Sequence, residues 1–159
     1  MRSGQPFDHA MKFVSDTFCY DTEPSSRALA VVQTLMPDKD FEYLGLMQKA
    51  FYVKGRDITK GEVLADLAEE TGIERISFLE NFNSDEMKGK TIQGFEFSRQ
   101  LGVQGFPTLL TINNGAVEVI TRGFQPFSAL KMVVDKQLTE QKAAELNNGQ
   151  SCADGLCSF

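Results

Sequence analysis

Three cysteines, Cys19, Cys152 and Cys157, are the side chains in this sequence best suited to covalent chemistry. The last two form CADGLC, a C-x4-C pair. Such a pair can exchange with a partner dithiol or close a small loop on itself. It can equally be two solvated thiols on a tail. Residues 150–159 hold no Lys or Arg, so nothing nearby lowers a thiol pKa and an activated thiolate is not expected. Cys19, between Phe18 and Tyr20, reads as a buried, inert thiol. An odd count of three does not describe a disulfide scaffold. His9 is the single histidine, reads as an exposed helix residue and cannot anchor a usual zinc set, so no metal site is expected. Glu69-Glu70 and Asp85-Glu86 read as solvated faces and helix starts, since no partner acid can be argued for either.

A second place with chemical character is Gly105-Phe106-Pro107-Thr108. Proline cannot donate to a β ladder, so it is tolerated at the first residue of a strand and is unusual before a buried apolar run. An X–Pro bond in a tight approach to a sheet is also where a cis peptide is selected. A cis bond there turns the Phe106 N–H and C=O outward, where an extended peptide can pair with them as an added strand.

The elements that must position these residues follow from periodicity. Phe7, Met11, Val14 and Phe18 have helix-like spacing. Thr22 is expected as a helix cap, with Pro24 in the first turn of a helix that buries Ala28, Val31, Val32 and Leu35 and stops before Pro37. Asp38 is expected to cap the next helix, with a stripe of Phe41, Leu44, Met47 (or Gln48) and Phe51, ending near Gly55. Thr59 and Glu62 have the spacing of a capping box for a helix that Gly72 ends. A short segment around residues 76–82 follows, and Ser84 starts a helix that runs to about Leu101 before Gly102. Phe78, Phe82, Phe95 and Phe97 read as core. Then the period changes. FPTLLTI and AVEVITRG are β-branched runs joined by Asn113-Asn114-Gly115, a strong hairpin signal. Pro126 opens a last helix with Leu130, Val133, Val134 and Leu138 inward, and the residues beyond Leu146 read as a flexible tail. A two-stranded hairpin is marginal alone, so this one should be the edge of a larger sheet. No other obvious strand completes that sheet, so it is missing or supplied by another chain.

Composition narrows the function classes. The chain has 159 residues and a net charge of −6, which makes nucleic acid and anionic membranes poor partners. No apolar run approaches the roughly 20 residues a spanning helix needs. The first residues, MRSGQPFDHAMKF, carry no continuous apolar stretch of the secretory kind, so a cytoplasmic location is expected.

LGVQGFPTLLTINNG resembles the cis-proline segment of thioredoxin-fold proteins, and RGF at 122–124 fits the exit from that family's hairpin. FCYDTEPSSRAL and QKAFYVKGRDITKGEVLADLA are similar to the inserted helical domain of the DsbA family, nearest its FrnE-like branch. The resemblance implies an α/β thioredoxin-like fold of DsbA type, mostly helical here. Residues 1–23 would be a lead-in, 24–101 the inserted helical domain, 102–146 the C-terminal part of the thioredoxin fold and 147–159 a tail. It also implies thiol–disulfide exchange on cysteine-containing proteins or peptides, without a bound cofactor. The family's nucleophile is a low-pKa cysteine of a CXXC at a helix N-terminus. No CXXC occurs in these 159 residues. By the resemblance it would precede Met1, together with the first β-α-β of the fold, so the chain as given is expected to be inactive in dithiol oxidation. Gly105, Phe106, Pro107 and Thr108 match the substrate-holding loop residue by residue. Ser26 departs from many relatives, which carry cysteine there, and Cys152 with Cys157 is similar to a C-terminal pair in FrnE-like members. Two further functions fit the same residues: a redox-inactive peptide-binding module that self-associates through a bare sheet edge, and a glutathione-binding, isomerase-like relative.

Overall fold

The computed structural model describes Pro6, residues 19–113 and residues 115–150, the stretch 144–150 by its backbone alone. The helix read over residues 7–18 lies outside the described residues, as do His9 and the pair Cys152 and Cys157. The chain divides into two compact units, Met1–Phe97 and Ser98–Phe159.

The first unit is helical. α1 (Glu23–Leu35) has Pro24 in its first turn, where the missing N–H leaves no bond unmade. Thr22 holds the cap position without a side-chain capping bond; its carbonyl instead accepts from both the N–H and the hydroxyl of Ser26. Ala28, Val31 and Val32 are fully buried, as their spacing predicts, and Leu35 packs partly against them.

After α1 the chain makes one 3₁₀ turn at Pro37–Lys39, so α2 (Asp40–Tyr52) begins later than expected and Asp38 does not cap it. The buried face of α2 is Tyr43, Met47, Ala50 and Phe51, while Phe41 is 83% exposed. Tyr43 takes the place expected of Phe41 because its hydroxyl finds an acceptor in the core, donating 3.0 Å to the Leu64 carbonyl.

α3 (Gly61–Glu70) also starts differently. The Thr59–Glu62 capping box does not form: the Thr59 hydroxyl donates to Asp57 at 2.6 Å, and Glu62 pairs with Arg75. Gly72 ends the helix with φ +93°, and the N–H groups of Gly72 and Ile73 reach back to the Glu69 and Ala68 carbonyls in a Schellman closure. The segment around residues 76–82 is a helix, α4 (Arg75–Asn83), whose first free N–H groups donate to the Glu74 carboxylate. The Ser84 side chain accepts from Met87 N–H at the start of α5 (Asp85–Gln100), as its position predicts.

These helices close around Tyr43, Leu64, Leu67, Val31, Val32 and Phe78, the largest side chains fully removed from water. Each contributes about 1.5–3 kcal/mol of transfer free energy. Phe78 stacks on Phe82 at 5.8 Å, and the Arg27 guanidinium lies 4.2 Å over the Phe82 ring. Arg27 also approaches Glu23 at 3.1 Å, at an angle that leaves its Nε without a hydrogen bond. Phe95 and Phe97, expected in the core, are exposed.

The second unit holds an antiparallel hairpin, β1 (Thr108–Asn113) and β2 (Ala116–Arg122), and α6 (Phe127–Gln150). Gly115, at φ +81°, supplies the left-handed turn that the Asn-Gly pair signals. A bulge between Leu109 and Leu110 shifts the register, so Thr108 faces Arg122. α6 runs to Gln150, four residues beyond its expected end at Leu146, and Val133 and Leu138 are exposed where they were expected inside. Among the described residues the sheet has two strands and no side chain of this unit is buried.

Candidate functional site

The site that the sequence singles out lies at the open end of the hairpin. Gly105, Phe106 and Pro107 are all exposed, Phe106 at 87%, and Thr108 is half-buried. The Phe106–Pro107 peptide is cis. Two short hydrogen bonds fix the loop. The Thr108 hydroxyl donates to the Gly105 carbonyl at 2.7 Å, and Gly123 N–H donates to the Pro107 carbonyl at 2.7 Å. The first folds the loop on itself; the second ties it to the residue that follows β2. Because Pro107 is bonded to Gly123, Phe106 and Phe124 each stand one residue away from the same link. Phe124 is 59% exposed and Phe127, the first residue of α6, is 79% exposed. Two large aromatic side chains, Phe106 and Phe124, in contact with water at one end of a hairpin are costly unless something covers them.

Arg122 belongs to this neighbourhood and was not singled out by the sequence. It stands directly opposite Thr108, and directly opposed residues share a face of the sheet. Counting back from the Asn-Gly turn without the bulge puts Thr121 in that place.

Elsewhere the expected residues are placed as follows. Cys19 is exposed, not buried, because it precedes α1 on an irregular stretch with no helix face to hide it. Ser26 lines a cleft of about 230 Å³ between α1 and α2, floored by Leu29, Met47 and Phe51 and edged by Tyr20 and Tyr52. Burial, with the nearby Tyr52 phenol second, raises the pKa of Tyr20 above its ordinary value. Glu69 pairs with Arg75 and Asp85 with Lys88, so these acids do serve as surface charges. Asp66 bridges Arg75 and Arg56, and the Arg75 hydrogen bond, the larger influence, holds its carboxyl below the ordinary value. Among the described residues no three His, Cys, Asp or Glu side chains are placed to hold a metal ion, and no helix is long and apolar enough to cross a membrane.

Comparison with known proteins covers both units. A thioredoxin family profile matches residues 27–132. The fold is similar to that of a candidate protein disulfide isomerase from Nitrosomonas europaea, with a TM-score of 0.83 and 35% identity over 87% of this chain and 68% of that one. It is also similar to the cytosolic disulfide reductase DsbM from Pseudomonas aeruginosa, with a TM-score of 0.71 and 26% identity over 86% and 69% of the two chains. A structure of DsbM with glutathione gives a TM-score of 0.69 and 25% identity over the same shares, 86% and 69%. No curated protein matches the sequence.

Proposed function

The chain belongs to the thioredoxin family, and from that premise we propose that it is a DsbA-type member that serves thiol–disulfide exchange on cysteine-containing proteins or peptides. The observation that carries the reading is the exposed Phe106–Pro107 loop, held by hydrogen bonds on both sides, in a chain whose structural neighbours are disulfide enzymes. The loop holds the backbone of an extended substrate next to its cysteine. Exchange itself needs a thiolate to attack a substrate disulfide, forming a mixed disulfide and releasing the second substrate sulfur as thiolate; a resolving thiol then breaks the mixed bond. Two cysteines in CXXC spacing do this work in the family, and the 159 residues contain none. These residues therefore bind substrate and leave the exchange step uncatalysed. Gly105 and Thr108 shape the loop, Phe106 and Pro107 contact the peptide, and Cys152 with Cys157 is the remaining dithiol.

A labelled extended peptide should bind the chain, and Phe106→Asp should weaken that binding by an order of magnitude, about 1.4 kcal/mol. Insulin reduction should stay at its uncatalysed rate with or without Cys152→Ser. Catalysed reduction that Cys152→Ser abolishes would make the tail pair the active dithiol and refute the proposed division of labour. A cytoplasmic location accords with the DsbM neighbour. Pairing of two copies through the edges of the sheet, which has two strands among the described residues, is the form in which the chain would act as a redox-inactive binding module.

A second reading is favoured by the glutathione-bound neighbour: the same loop takes glutathione. Competition between glutathione and the labelled peptide separates the two, since a peptide site that ignores millimolar glutathione does not hold it.

A further inference from the structure

The charge along the segment that carries the loop differs from that of the whole chain. Between residues 98 and 134 there are three cations, Arg99, Arg122 and Lys131, and a single carboxylate, Glu118, in a protein of net charge −6. Glu118 accepts a 2.9 Å hydrogen bond from Gln137, and Lys131 pairs with Asp135. No ion pair among the described residues includes Arg122. Arg122 is exposed, opposite Thr108 in the register, and two residues before the exposed Phe124. Two exposed phenylalanines, Phe106 and Phe124, and a guanidinium that joins no ion pair among the described residues therefore stand at the loop and at the strand end tied to it.

Resting on the reading that this loop holds extended peptide, we propose that Arg122, with Phe106 and Phe124, selects its sequence: a bulky apolar residue flanked by acidic ones. The guanidinium presents a planar, permanently charged fork to a carboxylate, and an aromatic side chain covers the exposed rings. The alternation of side chains along an extended peptide allows both contacts from one strand.

Two fluorescein-labelled heptapeptides test this on the full chain. Both carry one phenylalanine among serines and alanines; one adds two aspartates, the other two lysines. Anisotropy titration should show the acidic peptide binding about fivefold more tightly, the upper end for an exposed charge pair. The preference should fade in 1 M salt. Arg122→Gln should equalise the two, and Arg122→Glu should reverse their order while the far-UV circular dichroism stays that of the parent. Phe124→Ala should weaken both peptides and leave their ratio unchanged. Equal binding of the two peptides by the parent chain, or a preference that survives Arg122→Glu, would overturn the selection and leave the loop as a peptide site without it. If neither peptide binds, the peptide-holding reading itself falls.

Discussion

Replacing Tyr43 by Phe removes one oxygen atom from the core of the helical unit and leaves the ring in place. Tyr43 is fully buried, and its hydroxyl donates 3.0 Å to the Leu64 carbonyl. A net contribution of about 1 kcal/mol is expected for such a bond. The Leu64 carbonyl keeps its ladder partner within α3, so the loss should stay below about 1.5 kcal/mol. Tyr43→Ala removes the ring as well and should cost about 3–5 kcal/mol. Burial raises the Tyr43 pKa far above its ordinary value of 10.0. The folded state then keeps its proton where the unfolded chain has lost one. Stability from this group is therefore complete below the unfolded pKa and declines as pH rises past 10, by about 1.4 kcal/mol per pH unit. Urea unfolding followed by far-UV circular dichroism, at neutral pH and at steps above pH 10, measures both quantities. The parent protein should lose stability faster than Tyr43→Phe in alkali; Tyr20 titrates in both and cancels in the difference. Equal alkaline slopes, or a Tyr43→Phe cost as large as that of Tyr43→Ala, would refute the assignment of Tyr43 as a satisfied core phenol.

Two other perturbations probe the same unit. Phe78→Ala opens a cavity against Phe82 and Tyr43 and should lower the unfolding free energy by about 3–5 kcal/mol in the same titration. Asp66→Asn removes a carboxyl whose pKa is depressed mainly by Arg75; that stabilisation is present above the unfolded pKa of 3.8 and lost as pH falls below it, so the variant's melting temperature should vary less than the parent's between pH 5 and pH 2.

The helical unit was legible wherever a local rule decided the outcome. Ala28, Val31 and Val32 lie at helical spacing and are buried, Pro24 and Gly72 punctuate as expected, and Ser84 caps α5. It was illegible wherever a distant partner won. Glu62 left the expected capping box for Arg75, thirteen positions away, and Thr59 turned to Asp57. Phe41 outranks Tyr43 in hydrophobicity, yet the acceptor on α3 draws Tyr43 inward. In the second unit the Asn-Gly turn announced the hairpin, and FPT marked where it opens. The bulge that brings Arg122 opposite Thr108 has no sequence signature, so the charge beside the loop emerges only from the register. Phe95, Phe97, Val133 and Leu138 were read as interior from type and spacing alone; their exposure depends on what packs against them, which periodicity does not specify.

Every buried hydrophobic residue described lies between Ala28 and Met87. Both the denaturant dependence of unfolding and its heat-capacity change scale with the surface that unfolding exposes. Chemical and calorimetric unfolding of this chain should thus register a cooperative unit well short of 159 residues, with a shallow urea slope and a small heat-capacity step for its length. A ligand that covers the hairpin and α6 would enlarge both quantities, since the melting unit would then include residues that previously contributed little hidden surface. The size of the cooperative unit is itself a gauge of whether the second unit has found its partner.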